Sequence, residues 1–284
     1  MQQDTAVVLI SCPDQQGLVA ALAGFVSSNH GNILHLDQHV DLERNVFFAR
    51  MEWSLSGFRI PRDRLPAAIE ELAAPRRMSW RLYYSDRRAR MAIMASRQAH
   101  CLYDLLARHE AGELDADIPL IISNHPDLKP AAERFGIPFH EVSVQPNRRE
   151  EAEREAQRLL QDHGVDCIVL ARYMQILGAD FVRRYPLAII NIHHSFLPAF
   201  PGAKPYHSAY ARGVKIIGAT AHYVTEKLDE GPIIEQDVAR ISHRHTLEDM
   251  IRQGRDLEKI VLARAVRAHL EKKILVYDNK TVIF

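Results

Sequence analysis

The amino-acid sequence predicts a two-part α/β chain. A ferredoxin-like βαββαβ unit of about eighty residues comes first, and a Rossmann-like, mostly parallel open sheet follows it. Three observations carry this reading. Between Thr5 and Tyr84, apolar runs and amphipathic stretches follow one another in the order βαββαβ. From Met91 onward, strand-like and helix-like segments alternate, as parallel crossovers require. Between the two regions lies the polar, basic stretch Ser85-Asp86-Arg87-Arg88-Ala89-Arg90. The expected division is therefore a first domain at 1–84, a linker at 85–90 and a second domain at 91–284.

In the first region, Ala6 to Ser11 is an apolar run that stops at Pro13-Asp14, a strand followed by a turn. Leu18, Val19, Leu22, Phe25 and Val26 recur at helical spacing between Gly17 and Asn29, and His30-Gly31-Asn32 ends that helix. Ile33 to Val40 and Val46 to Ser54 read as strands. Arg62 to Ala73 is a second amphipathic helix, with Leu65, Ala68, Ile69 and Leu72 facing inward, and Met78 to Tyr84 is the last strand.

In the second region, Met91 to Ala95 is a strand and Gln98 to His109 a helix. Ile118 to Ser123 and Leu128 to Phe135 repeat the pair, and Ile137-Pro138-Phe139 is short and extended. Asn147 is expected to cap a charged helix that reaches His163 and stops at Gly164. Asp166 to Ala171 is a strand, Ala179 to Tyr185 a short helix, and Ala188 to His193 a strand. The unbroken apolar Ala188-Ile189-Ile190 suits burial on both faces. Val214 to Val224 and Ile233 to Ile241 are strand-like, Thr246 to Leu270 is a long helix, and Ile274 to Phe284 a terminal hairpin.

Composition narrows the function classes. The chain has 284 residues, 47% hydrophobic and 25% charged, which fits a folded protein and not a disordered one. Lys+Arg and Asp+Glu both number 36, so the formal charge is zero and a phosphate-tracking nucleic-acid binder is not expected. No apolar run reaches membrane-spanning length, and Met1 to Asp14 lacks the parts of a secretory signal. Cys12, Cys101 and Cys167 are odd in number and far apart, which points to a reducing, cytoplasmic setting.

Reactive groups in an open α/β sheet gather at the carboxyl ends of strands. Asn191-Ile192-His193-His194-Ser195 sits at such an end, and strand alternation points Asn191 and His193 to one side. The Pro- and Gly-containing stretch Phe196 to Gly202 must be a shaped loop. A second loop, from Thr225 to Pro232, carries Asp229 near its tip. An amide can donate to a developing oxyanion, an imidazole can donate to the same oxygen or to a leaving nitrogen, and a carboxylate can orient water or take its proton. That set suits attack on a carbonyl carbon without a protein nucleophile. Ser195 has no Gly-x-Ser-x-Gly elbow around it. His193, His194, His207 and His222 lack helical His-Glu-x-x-His spacing, so no metal site is expected. On spacing alone, these residues remain open to a reading as ordinary loop and turn positions.

Asn191 to Gly202, together with Gly218 to Val224 and Leu228 to Ile234, resembles the signature of the formyltetrahydrofolate-dependent formyltransferase superfamily. The resemblance covers Met91 to the C-terminus. It implies Asn191, His193 and Asp229 as catalytic residues, with Asn191 and His193 stabilising the oxyanion and Asp229 positioning or deprotonating water. It further implies a folate-binding segment at Arg172, Tyr173, Met174, Gln175, Ile176 and Leu177, with His222 contributing. No cofactor is implied, because 10-formyltetrahydrofolate is itself the substrate.

The first region, with Cys12-Pro13-Asp14-Gln15-Gln16-Gly17-Leu18-Val19, resembles an ACT domain. That resemblance implies a homo-oligomer and an amino-acid effector held near Asp14, Gly17 and Asn32. The two halves in this order are similar to the formyltetrahydrofolate deformylase family, hydrolases that release formate. A departure favours this over amine formylation. The related glycinamide ribonucleotide transformylases cradle a substrate phosphate on a Gly-Ser-Gly-type loop, whereas Ala95-Ser96-Arg97-Gln98-Ala99-His100 has no glycine. Formyl transfer to an amine, and a catalytically silent amino-acid sensor, are the alternatives. No tRNA-binding appendage, nucleic-acid partner or membrane association is expected.

Overall fold

The computed structural model describes residues 4–145, 147–198 and 205–284, and the chain divides into two compact units. In the first, β1 (Thr5–Pro13), α1 (Leu18–Ser28), β2 (Asn32–Asp41), β3 (Val46–Ser54), α2 (Leu65–Ala73) and β4 (Ser79–Tyr84) give the expected βαββαβ order. The four strands form an antiparallel sheet in the order β2-β3-β1-β4. Leu18, Leu22 and Val26 of α1 pack with Leu65, Ile69 and Ala73 of α2 against Val8, Ile10, Met51 and Trp53. The 4-residue spacing on each helix and the 2-residue spacing on each strand thus meet in one core.

The second unit opens at Ala89, so the connection is shorter than the expected 85–90 linker. Arg90 already lies in a strand, where its N–H donates to Asp166 Oδ2 and its Nε to the His163 carbonyl. The elements are β5 (Ala89–Ala95), α3 (His100–Glu110), β6 (Ala116–Asp117), β7 (Ile121–Ser123), α4 (Lys129–Arg134), β8 (Phe139–Glu141) and α5 (Arg149–Asp162). There follow β9 (Cys167–Ala171), α6 (Ala179–Arg184), β10 (Ile189–His193), α7 (Pro205–Arg212), β11 (Ile216–Tyr223), β12 (Ile233–Arg240) and α8 (Leu247–Leu270). The sheet order is β12-β11-β10-β9-β5-β7-β8, with β6 paired to β5. From β10 through β9, β5 and β7 to β8 all pairings are parallel, and β11 runs antiparallel to both its neighbours. After β5 the chain builds outward through β7 and β8, then returns to β9 on the other side of β5. The crevice between β5 and β9 is therefore a topological switch point, where open α/β sheets receive ligands.

Three expectations need correction. Asn147 does not cap α5: the helix starts one residue later at an N-cap Arg148 that makes no side-chain cap bond. Helix α7 and the two-residue β6 were not foreseen, because neither is long enough to show a period. The terminal hairpin β13 (Ile274–Tyr277) and β14 (Lys280–Ile283) forms as expected, yet residues 272–284 belong to the first unit and not to 91–284. There the Tyr277 ring packs 4.6 Å from that of Phe48, and its hydroxyl donates to Asp41 Oδ2 at 3.0 Å. The hairpin's partners sit far away in sequence, which local patterning cannot reveal.

Among the described residues, no helix is long and apolar enough to cross a membrane.

Candidate active site

Strand β10 ends at His193, between β9 and β11. Its register with β11 sets Asn191 opposite His222 and His193 opposite Thr220, so one face gathers these polar side chains. Asn191 Nδ2 lies 3.3 Å from His222 Nε2. His222 Nδ1 lies 2.9 Å from the Tyr223 carbonyl oxygen, which can only accept. His222 in its neutral form therefore carries its hydrogen on Nδ1 and accepts at Nε2 from the Asn191 amide. The second N–H of that amide is left for another acceptor.

Asp229 arrives from the loop between β11 and β12. That loop closes where the Tyr223 N–H donates to the Pro232 carbonyl at 2.9 Å. A Cβ on Gly231 would lie 1.7 Å from the Tyr223 carbonyl oxygen, so only glycine permits the return. Asp229 itself has φ +56°, a left-handed conformation that Asp tolerates better than most residues. Its Oδ2 is 3.3 Å from His193 Nδ1 and its Oδ1 is 3.7 Å from His222 Nε2. The hydrogen bond from His193 comes first, then the His222 ring, whose Nε2 donates to this carboxylate when that ring is charged; together they hold the Asp229 carboxyl well below the usual range despite partial burial. Because an ionised carboxylate only accepts, His193 carries its hydrogen on Nδ1. Its Nε2 is a buried lone pair without a hydrogen-bond partner among the described residues.

The expected trio is thus one cluster, and His222, expected with the folate segment, belongs to that cluster. Beyond His193, the Thr220 hydroxyl donates to the Ser195 carbonyl and accepts from the Leu197 N–H, and Gln236 donates to Thr220 Oγ1 and to the Leu197 carbonyl. Residues Ala199 to Gly202 of the expected shaped loop lie outside the described residues. His207 is exposed on α7, and the four histidines do not form a ligand set among the described residues.

Arg172 to Leu177 follow β9 at the same end of the sheet, in the switch-point crevice. Arg172 and Tyr173 are buried, while Met174 and Ile176 are exposed. Tyr173, Gln175 and Leu177 line a cavity with Met94, Val144 and Phe181. Burial pushes the Tyr173 phenol up to about 12.

Sequence reading missed a buried cluster beside this crevice. Glu258 on α8 is 1% exposed and accepts from Tyr206 Oη at 2.7 Å; His100 Nε2 lies 2.7 Å from it and Arg172 Nε 3.5 Å. Burial alone would raise its carboxyl, but His100, Arg172 and Tyr206 outweigh that and lower it. The available signal was a glutamate on the apolar stripe Gly254, Glu258, Val261, Ala265. His100, Cys101 and Glu258 have the elements for a metal ligand set. They do not fit a cation: the Arg172 guanidinium already meets the carboxylate, and burial raises the Cys101 thiol well above its ordinary range.

The residues expected to hold an effector lie at the two ends of α1, so Asn32 could join Asp14 and Gly17 only across a subunit interface. Gly17 caps α1 with φ +83°, and Asp14 makes no cap bond to that helix. Asn32 lies at the other end of α1, whose eleven residues span roughly 16 Å.

The family profile described as formyl transferase matches residues 89–266. A formyltetrahydrofolate deformylase of a Synechocystis strain is 56% identical over the whole of both chains. The Bacillus subtilis protein of that name is 47% identical over 99% of this chain and 94% of its own length. The crystal structure of a formyltetrahydrofolate deformylase from Pseudomonas syringae superposes with a TM-score of 0.97 at 50% identity, covering 100% of this chain and 95% of that one. With a formyl transferase match over the second unit and relatives of that one name along its full length, the chain belongs to the formyltetrahydrofolate deformylase family.

Proposed function

We propose that this chain hydrolyses 10-formyltetrahydrofolate to tetrahydrofolate and formate. The observation that carries the chemistry is the buried lone pair of His193 Nε2, aimed by Asp229 and on the same strand face as Asn191. A water oxygen attacks the formyl carbon, and its proton passes to His193 Nε2. The free N–H of Asn191 donates to the oxyanion as the tetrahedral centre forms. When the C–N bond breaks, the proton on His193 goes to the departing nitrogen, leaving tetrahydrofolate and formic acid, whose remaining hydroxyl proton passes to solvent to give formate.

Of the two roles expected for Asp229, positioning water or deprotonating it, it takes neither directly and instead sets the orientation of His193. A carboxylate with a depressed pKa is a weak base, so Asp229 orients His193 and stabilises the imidazolium. The route uses no metal or redox carrier. Arg172, Tyr173, Met174, Gln175, Ile176 and Leu177 bind the folate, with Tyr173 and Leu177 supplying an apolar wall. The non-glycine entry to α3 and the internally paired Glu258 cluster favour water over a phosphorylated amine as acceptor. Formate release measured with and without amines tests this: the rate without amine is expected to be the full rate, and dependence on an amine would overturn it.

The first unit reads as an ACT-like module that binds a second copy of the chain and an amino acid. Its antiparallel β2-β3-β1-β4 sheet with two helices supports this, and Asp14, Gly17 and Asn32 then act from two copies.

A further inference from the structure

Alternate residues of the segment 172–178 are tied down. Arg172 Nε faces Glu258 Oε2 at 3.5 Å. The Met174 N–H donates to Ser96 Oγ at 3.0 Å, and that hydroxyl donates to Asn124 Oδ1 at 2.6 Å. The Ile176 carbonyl accepts from Arg149 Nη2. The Gly178 N–H donates to Glu153 Oε1 at 3.0 Å, which also accepts from Arg149 Nε at 3.1 Å. A Cβ on Gly178 would sit 2.6 Å from Glu153 Oε2, so the glycine lets this carboxylate close over the backbone. Of this segment, Tyr173, Gln175, Ile176 and Leu177 line the cavity, and Arg149 and Glu153 line it too.

We infer that the Arg149–Glu153 pair at the start of α5 is a positioning clamp that preorganises the folate segment, setting affinity for the folate and not the rate of formyl hydrolysis. The inference rests on the folate reading proposed above. The pair is spaced i, i+4, with side chains 46% and 21% exposed. As an isolated surface ion pair it would contribute little. What distinguishes it is two charge-assisted bonds to the backbone of a segment without regular structure. A loop ordered before binding spares the substrate the entropy of ordering it. The Asn191, His193 and Asp229 cluster stands on β10 and the β11–β12 loop, and none of its hydrogen bonds described above runs through α5.

The test compares Glu153→Ala, Glu153→Gln and Ser96→Ala with the parent in steady-state formate release, together with tetrahydrofolate binding by calorimetry and thermal melting. Glu153→Ala is expected to raise KM and the tetrahydrofolate Kd about tenfold with kcat within about twofold. Glu153→Gln recovers most of the loss, because its amide oxygen still accepts from Gly178. Ser96→Ala shifts KM in the same sense, and carries the test with Glu153→Gln if Glu153→Ala does not fold. A folded Glu153→Ala with a lower melting temperature but unchanged KM and Kd would overturn the clamp and leave only a helix-stabilising pair. So would a kcat that falls in step with kcat/KM. A parent that binds no tetrahydrofolate would overturn the folate reading itself, an outcome distinct from both.

Discussion

His193 Nδ1 lies 3.3 Å from Asp229 Oδ2, and this one contact fixes which nitrogen of His193 is left to accept a proton. Asp229→Asn offers an amide N–H where the carboxylate accepted. The ring then turns to its other tautomer, and Nε2 becomes a donor in place of a proton acceptor. Turnover is expected to fall at least about a hundredfold in a folded protein, as it should for Asn191→Ala, which removes the oxyanion donor. Steady-state kcat with a circular-dichroism check on folding decides both.

The depressed carboxyl of Asp229 also predicts a pH dependence of stability. Its folded pKa lies below the unfolded value of about 4. The stabilisation is therefore fully present above that unfolded value and is lost as pH falls through the folded one. Urea midpoints of the parent and of Asp229→Asn should differ at neutral pH and converge as pH falls below about 4. A gap that stays constant across that range would contradict the cause assigned here.

Hydrolysis by this route should survive exhaustive chelation with an unchanged rate. Loss of activity that one added metal restores would instead assign the histidines a ligand role.

For the first unit, some free amino acid is expected to change the rate of formate release, since an effector must bind the more and less active states unequally. Gly17→Val should remove the response and keep the basal rate, because a β-branched residue is strained at the φ of +83° found there. Calorimetry and rate measurements across the common amino acids check this, and silence from all of them would leave the unit an assembly module.

The parts legible in the sequence were those with a local period or a dense local motif. Leu18, Leu22 and Val26 announced α1, and Asn191 and His193 announced one strand face, because each signal is complete within a few residues. The partnership of Asn191 with His222 was not legible, since it depends on the β10–β11 register. Nor was the docking of Tyr277 on Phe48, which joins the chain's end to its first sheet. Glu153 and Glu258 were hidden for a different reason. Charged residues on helices are ordinarily solvated, and only the three-dimensional structure shows one bonded to the Gly178 backbone and the other buried among His100, Arg172 and Tyr206.

The proposed reaction turns on water being the formyl acceptor. A single turnover of 10-formyltetrahydrofolate in ¹⁸O-labelled water, without any amine, tests it directly, with the formate analysed by mass spectrometry. Stoichiometric formate carrying one labelled oxygen is expected, with none of this in Asn191→Ala on the same timescale. Formate that forms only when an amine is added, or a formylated amine in its place, would contradict it.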